Sequence, residues 1–256
     1  MKLPVAFLPL PILLLACGEK PRSAPEIDAI NETVPVPIED PDRTFGPLSF
    51  EQVDDNIAHD TLFIQTTFKL PDSSFVMVAM NKAEDPTEDQ MERVAGLRLV
   101  HYRIDRKGEP EMLAYSSPAY DSWTMFPTFF PDPINEGAYI ILANFGERNS
   151  WGQRVIRFGD QGFTDLGYLD VAAIEHDGEG DEAEMKLRNI GPHTRIGAIE
   201  NEIIISFELD ELLLYDDLRG GLEQPVKADR LQYRWSEAKG MLLYIDGEAR
   251  HEEQPS

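Results

Sequence analysis

The chain has 256 residues, with Lys+Arg 23 against Asp+Glu 47 and a formal net charge of −24, a length for one ordinary domain or two small ones that excludes a multidomain machine. Hydrophobic residues at 42% and aromatics at 9% suffice for a packed core and exclude a disordered acidic chain. No basic cluster offsets the negative charge, which disfavours nucleic acid and anionic lipid headgroups as partners and favours cations or basic proteins.

The first predicted element is a leader. Lys2 precedes an apolar run from Leu3 to Ala16 that is broken by Pro4, Pro9 and Pro11. A membrane-spanning helix needs roughly 20 apolar residues, and each proline removes a backbone donor from it, so residues 1–16 read as a signal peptide. The run ends in Leu14-Leu15-Ala16-Cys17, followed by Gly18, and Cys17 is the sole cysteine of the chain. Such a thiol cannot form an internal disulfide and, once exported, is a liability unless capped.

The four residues Leu14-Leu15-Ala16-Cys17 resemble the lipobox of bacterial lipoproteins: an aliphatic residue three before the cysteine, a small one directly before it, then the thiol. The resemblance implies a diacylglycerol on Cys17, removal of the leader, and acylation of the new amine. Two or more acyl chains, at about 0.8 kcal/mol per buried methylene, exceed what stable anchoring needs. Gly18 stands where lipoproteins retained in the inner membrane carry Asp, so the resemblance implies delivery to the outer membrane. The implied partners are the membrane, through Cys17, and an envelope protein or small ligand.

Residues 17–47 carry Pro21, Pro25, Pro35, Pro37, Pro41 and Pro47 without a sustained apolar period. They read as a tether tending to polyproline II, at about 3.1 Å per residue. An acidic body is expected over 48–250 and a polar tail over 251–256. Ser49-Phe50-Glu51-Gln52 has the form of a capping box, and Phe50, Val53 and Ile57 share a helical face, which predicts a short helix. A second helix is predicted from Pro86 to Ala95, with Asp85 as its cap and Gly96 at its exit.

Strands are predicted at Thr61 to Phe68, Phe75 to Met80, Leu97 to Ile104, Glu111 to Tyr115, Ala138 to Asn144, Arg154 to Phe158, Tyr168 to Ile174, Ile203 to Leu209, Leu231 to Trp235 and Met241 to Ile245. Turn residues bound them at Pro71-Asp72-Ser73-Ser74, Lys107-Gly108, Gly159-Asp160-Gln161-Gly162 and Lys239-Gly240. The fold class is therefore mainly β, an antiparallel β-sandwich or meander with one or two short helices. A small or partial β-propeller is the alternative, because Ala138 to Val171 could supply one blade. At about 40 to 45 residues per blade the body holds at most four or five, and no motif recurs at that period.

His59, His101, His176, His193 and His251 form no zinc-binding pair on a helix, and no nucleophile elbow, phosphate loop or dinucleotide turn is present. A non-enzymatic binding body is favoured, with a carbohydrate-directed hydrolase as the alternative. The densest polar stretch, Glu175 to Glu184, resembles the calcium loops of integrin-type propeller repeats, with Glu175, Asp177 and Glu179 on alternate acidic positions, Asp181 beyond them, and Gly178 and Gly180 on the turn glycines. The resemblance implies a calcium-stabilised, propeller-like interaction module. Glutamates replace two aspartates and Ala183 replaces the last acid, so a solvated acidic hairpin loop is the other reading. Trp123, Phe126, Phe129 and Phe130, interleaved with Pro127 and Pro131, form either an aromatic platform for a sugar or proline-rich peptide or part of the core.

Overall fold

The computed structural model describes residues 43–54, 62–82, 96–118, 125–144, 152–177, 184–214 and 224–250. Their strands, in chain order, are β1 (Thr44–Phe45), β2 (Glu51–Val53), β3 (Leu62–Lys69), β4 (Phe75–Asn81), β5 (Arg98–Ile104), β6 (Pro110–Tyr115), β7 (Thr128–Pro131), β8 (Tyr139–Asn144), β9 (Gln153–Gly159) and β10 (Gly162–Leu169). They continue as β11 (Val171–Asp177), β12 (Glu184–Arg188), β13 (Thr194–Ile199), β14 (Glu202–Phe207), β15 (Glu211–Leu214), β16 (Gln224–Lys227), β17 (Leu231–Ser236), β18 (Gly240–Ile245) and β19 (Glu248–Ala249). The protein is mainly β, as its turn spacing predicts.

Four antiparallel sheets result. Sheet I has the order β2-β3-β4-β5-β6, and sheet II the order β10-β9-β8-β7. Sheet III runs β12-β11-β15-β16, and sheet IV runs β1-β13-β14-β17-β18-β19. Sheets I and II are consecutive meanders, whereas successive hairpins alternate between III and IV. That interleaving departs from the radial repetition of one meander per blade.

Burial on both faces explains the unbroken apolar strands. In β4, Val76 and Val78 join the core shared with sheet II, while Met77 and Ala79 join a cluster on the opposite face of sheet I. In β8, Ile141 and Ala143 face that shared core, and Ile140 and Leu142 face a second core. The second core takes Val171 and Leu212 from sheet III, and Ile196, Ile205 and Tyr233 from sheet IV. Sheet II is thus buried on both sides, and a strand buried on both sides carries continuous apolar residues rather than alternating ones.

Three expectations need correction. Glu51–Val53, placed in a helix by its capping-box pattern, is an edge strand pairing Gln52 with Phe68. Phe50 packs edge-on against Phe129 and Tyr139, a contact that takes the place of the helical face. The run Tyr168 to Ile174 is not one strand: it breaks at Asp170, where the chain passes from sheet II to sheet III. Thr44–Phe45, read as tether, pairs with Ile196 and Gly197 at the edge of sheet IV. The predicted helix from Pro86 to Ala95 lies outside the described residues, as does the leader with Cys17. Among the described residues no helix is long and apolar enough to cross a membrane.

Candidate functional site

The short turns of sheets I and II gather at one end of their shared core and leave a cleft of about 670 Å³. Leu70, Pro71 and Asp72 come from the β3–β4 turn, His101 from β5, and Leu113 and Ala114 from β6. Gly137 and Tyr139 enter from the β7–β8 connection and the start of β8, and Phe158 to Gly162 from the β9–β10 turn. The volume falls within the range of small-molecule sites.

Two local irregularities shape this cleft. In the β5–β6 ladder, His101 pairs with Ala114 and Tyr102 with Met112, so Leu113 is the extra residue of a bulge. A bulge re-aims a side chain, and Leu113 lines the cleft while remaining 42% exposed. On the facing turn, Gly162 has φ +85°, and a β-carbon there would meet that of Ala114 at 3.0 Å. Glycine is the residue that suits both the backbone conformation and the close approach.

Hydrogen bonds fix the carboxylate of Asp72. The backbone N–H and the hydroxyl of Ser74 both donate to Oδ1, at 2.9 and 2.7 Å, and neither uses Oδ2. Burial pushes the Asp72 carboxyl up, but the Ser74 hydrogen bonds and the nearby His101 together outweigh it, holding the group below its ordinary range. Asp160, also on the cleft, has no hydrogen-bond or ion-pair partner among the described residues.

His101 stands edge-on to Phe158, with ring centroids 4.8 Å apart. Its Nε2 is sealed from solvent without a hydrogen-bond partner among the described residues. Burial lowers the imidazole pKa, and the charge of Asp72 opposes this only in part. The ring is therefore neutral at pH 7. Phe158 also stacks on Phe163 at 4.7 Å and on Tyr139 at 6.2 Å. Burial, and then the Asp72 charge, raise the Tyr139 pKa, so its phenol keeps its proton. The cleft joins a fixed carboxylate, a neutral imidazole, a phenol and apolar walls.

The residues singled out from sequence lie elsewhere. Phe129 is 2% exposed in the core between sheets I and II, Phe130 is 0% exposed in the other core, and Phe126 is 56% exposed. Adjacent strand residues point to opposite faces, so Phe129 and Phe130 are packing residues and form no platform together. Trp123 lies outside the described residues.

Glu175, exposed on β11, pairs with Arg188 across the hairpin. Asp177 ends β11 opposite Glu184, and Glu179 and Asp181 lie outside the described residues. Among the described residues no three His, Cys, Asp or Glu side chains are grouped to hold a metal. The acidic stretch is thus flanked by a regular hairpin, and Glu175 is engaged with a guanidinium.

Sequence reasoning placed the turns at Pro71 to Ser74 and Gly159 to Gly162 but did not join them into a site. The burial of β6 alternates throughout, so no break in its pattern signals the bulge at Leu113. Comparisons with protein-family models, curated proteins and solved structures give no match.

Proposed function

We propose that this chain is a lipid-anchored bacterial envelope protein, held at the outer membrane through Cys17, whose acidic β-body binds a small ligand without chemical turnover. The observation that carries the binding role is the cleft at the turn end of sheets I and II. Its lining sets apolar and aromatic side chains, Leu70, Leu113, Phe158 and Tyr139, beside the polar groups of Asp72, His101, Asp160 and Gln161, the mixture that orients a small ligand. Leu14-Leu15-Ala16-Cys17 supports the anchor.

The cleft also gives the hydrolase reading a specific basis, because Asp72 and Asp160 both line it beside Tyr139. Glycoside hydrolysis needs one carboxyl kept protonated as the general acid, through a raised pKa. Asp72 shifts the other way, which suits an ionised partner and not the acid; the binding reading requires no protonated carboxyl and is preferred. The test is chemical-shift-perturbation NMR on the full chain with a panel of small envelope-derived compounds, read at the His101 and Tyr139 signals. Compounds that move both signals and are recovered unchanged support binding; a compound consumed by the wild-type chain but not by Asp72→Asn supports the hydrolase.

A further inference from the structure

The cleft carries a charge that its own lining does not answer. Asp72 and Asp160 border it, and among the described residues no Lys or Arg does. Elsewhere carboxylates meet guanidinium groups, as Asp132 meets Arg157, Asp165 meets Arg154 and Glu208 meets Arg195. His101 supplies little counter-charge at pH 7, because the half-buried imidazole has its pKa lowered by desolvation, opposed only in part by Asp72.

A ligand must suit both the charge and the walls. A carboxylate accepts hydrogen bonds only, whereas an ammonium group offers only donors. Asp72 and Asp160 are both exposed at the rim of the cleft, so an anion would meet two like charges there, a repulsion that solvent screens but does not reverse. Leu70, Pro71, Leu113 and Tyr139 contribute an apolar and aromatic surface, and the net charge of −24 enriches cations near the protein.

The geometry points to a small protonated amine with an apolar body as the ligand of this cleft, its ammonium donating to Asp72 and Asp160 and its body lying against Leu113 and Tyr139. This assignment rests on the reading of the cleft as a ligand site. Asp72 is prepared for the role, since Ser74 engages Oδ1 and leaves Oδ2. A charge-assisted hydrogen bond is about twice as strong as a neutral one, so the amine gains over a neutral isostere of the same shape.

The experiment is calorimetric titration of the full chain with 2-phenylethylamine, 2-phenylethanol and 3-phenylpropanoate, which share one apolar body and differ in charge. The amine is expected to bind about three- to tenfold more tightly than the alcohol, and the carboxylate most weakly. Asp72→Asn and Asp160→Asn, measured separately so that a folding defect in one leaves the other informative, each reduce the amine's affinity while sparing the alcohol's. Glu248→Gln, on the exposed last strand, leaves both unchanged. Equal affinity for amine and alcohol overturns the amine assignment but leaves the cleft a ligand site. An amine preference that survives both aspartate substitutions overturns it as diffuse attraction to an acidic surface. If none of the three compounds binds or moves the His101 signals, both the assignment and the ligand-site reading fail.

Discussion

Arg157 holds its Nε 2.7 Å from Oδ2 of Asp132, whose side chain has no exposed surface. It is a close ion pair rather than an aligned hydrogen bond, since the Nε proton points off the carboxylate. Asp132 also accepts from the backbone of Ile134 and Asn135 and from the Asn135 side chain. The guanidinium carbon lies 4.8 Å from the Trp235 ring centroid, so the pair links the β7–β8 connection of sheet II to sheet IV. Removing one partner of a buried pair strands the other charge, at about 3–5 kcal/mol. Asp132→Ala is therefore expected to lower the urea midpoint without changing the slope, and a loss within the scatter of surface substitutions contradicts this.

Gly162 fixes the width of the cleft. Gly162→Ala meets both a left-handed backbone and the Ala114 side chain, and is expected to destabilise by about 1–3 kcal/mol. Adding Ala114→Gly removes the contact but not the backbone strain, so it restores part of the loss. Full restoration would show that contact alone matters; no restoration would show that the backbone conformation does. Chemical denaturation of the three variants distinguishes these outcomes.

The acid limb of stability has two signed contributions. His101 titrates lower when folded than unfolded, so the unfolded chain takes up its proton first as pH falls below about 6.5. That contribution is complete above the unfolded value and is lost as pH falls toward the folded one. Asp72 is also depressed, so its contribution is present above about 3.9 and is lost as pH falls through its folded value. Denaturation at a series of pH values should show a shallower slope below about pH 6.5 in His101→Phe; Asp72→Asn should lose its own contribution below about pH 4 and extend the His101 limb to lower pH, because the Asp72 charge no longer opposes the effect of burial on the imidazole. Identical wild-type and variant slopes would contradict both assignments.

Much of the scaffold was legible in the sequence. The apolar runs of β4 and β8 and the turns at Pro71 to Ser74 and Gly159 to Gly162 followed from composition and turn chemistry. The edge strand β2 was not legible, because Ser49 to Gln52 satisfies a helix cap locally, while pairing with β3 and the packing of Phe50 on Phe129 decide the outcome at long range. The cleft was the least legible feature. Asp72, His101, Leu113, Tyr139 and Asp160 come from separate turns and strands, and only the stacking of sheet I on sheet II brings them together. The aromatic segment misled for a related reason: adjacency of Phe129 and Phe130 in sequence means opposite faces in a strand.

The anchor and the acidic loop give separate expectations. Cys17→Ser should abolish lipid labelling and leave an uncleaved precursor, since no other cysteine can accept the acyl group; a processed, acylated Cys17→Ser protein would contradict this. For the loop, calcium specific to the native state should raise stability by about 2.7 kcal/mol at a hundredfold excess over Kd. Magnesium at equal ionic strength controls for general screening of an acidic chain. A calcium-over-magnesium difference in melting temperature that persists in Asp177→Asn/Glu179→Gln would assign the stretch to solvent alone.

The binding role of the cleft is tested most directly by photocrosslinking from inside it. A photoreactive residue in place of Leu113, in the full chain incubated with a bacterial envelope fraction, should yield a discrete adduct of small-molecule mass on the intact protein. The same substitution at the exposed Ile199 of sheet IV should yield none. The account predicts an adduct at Leu113 that Asp72→Asn abolishes; the same adduct at both positions, or none at Leu113, would contradict it.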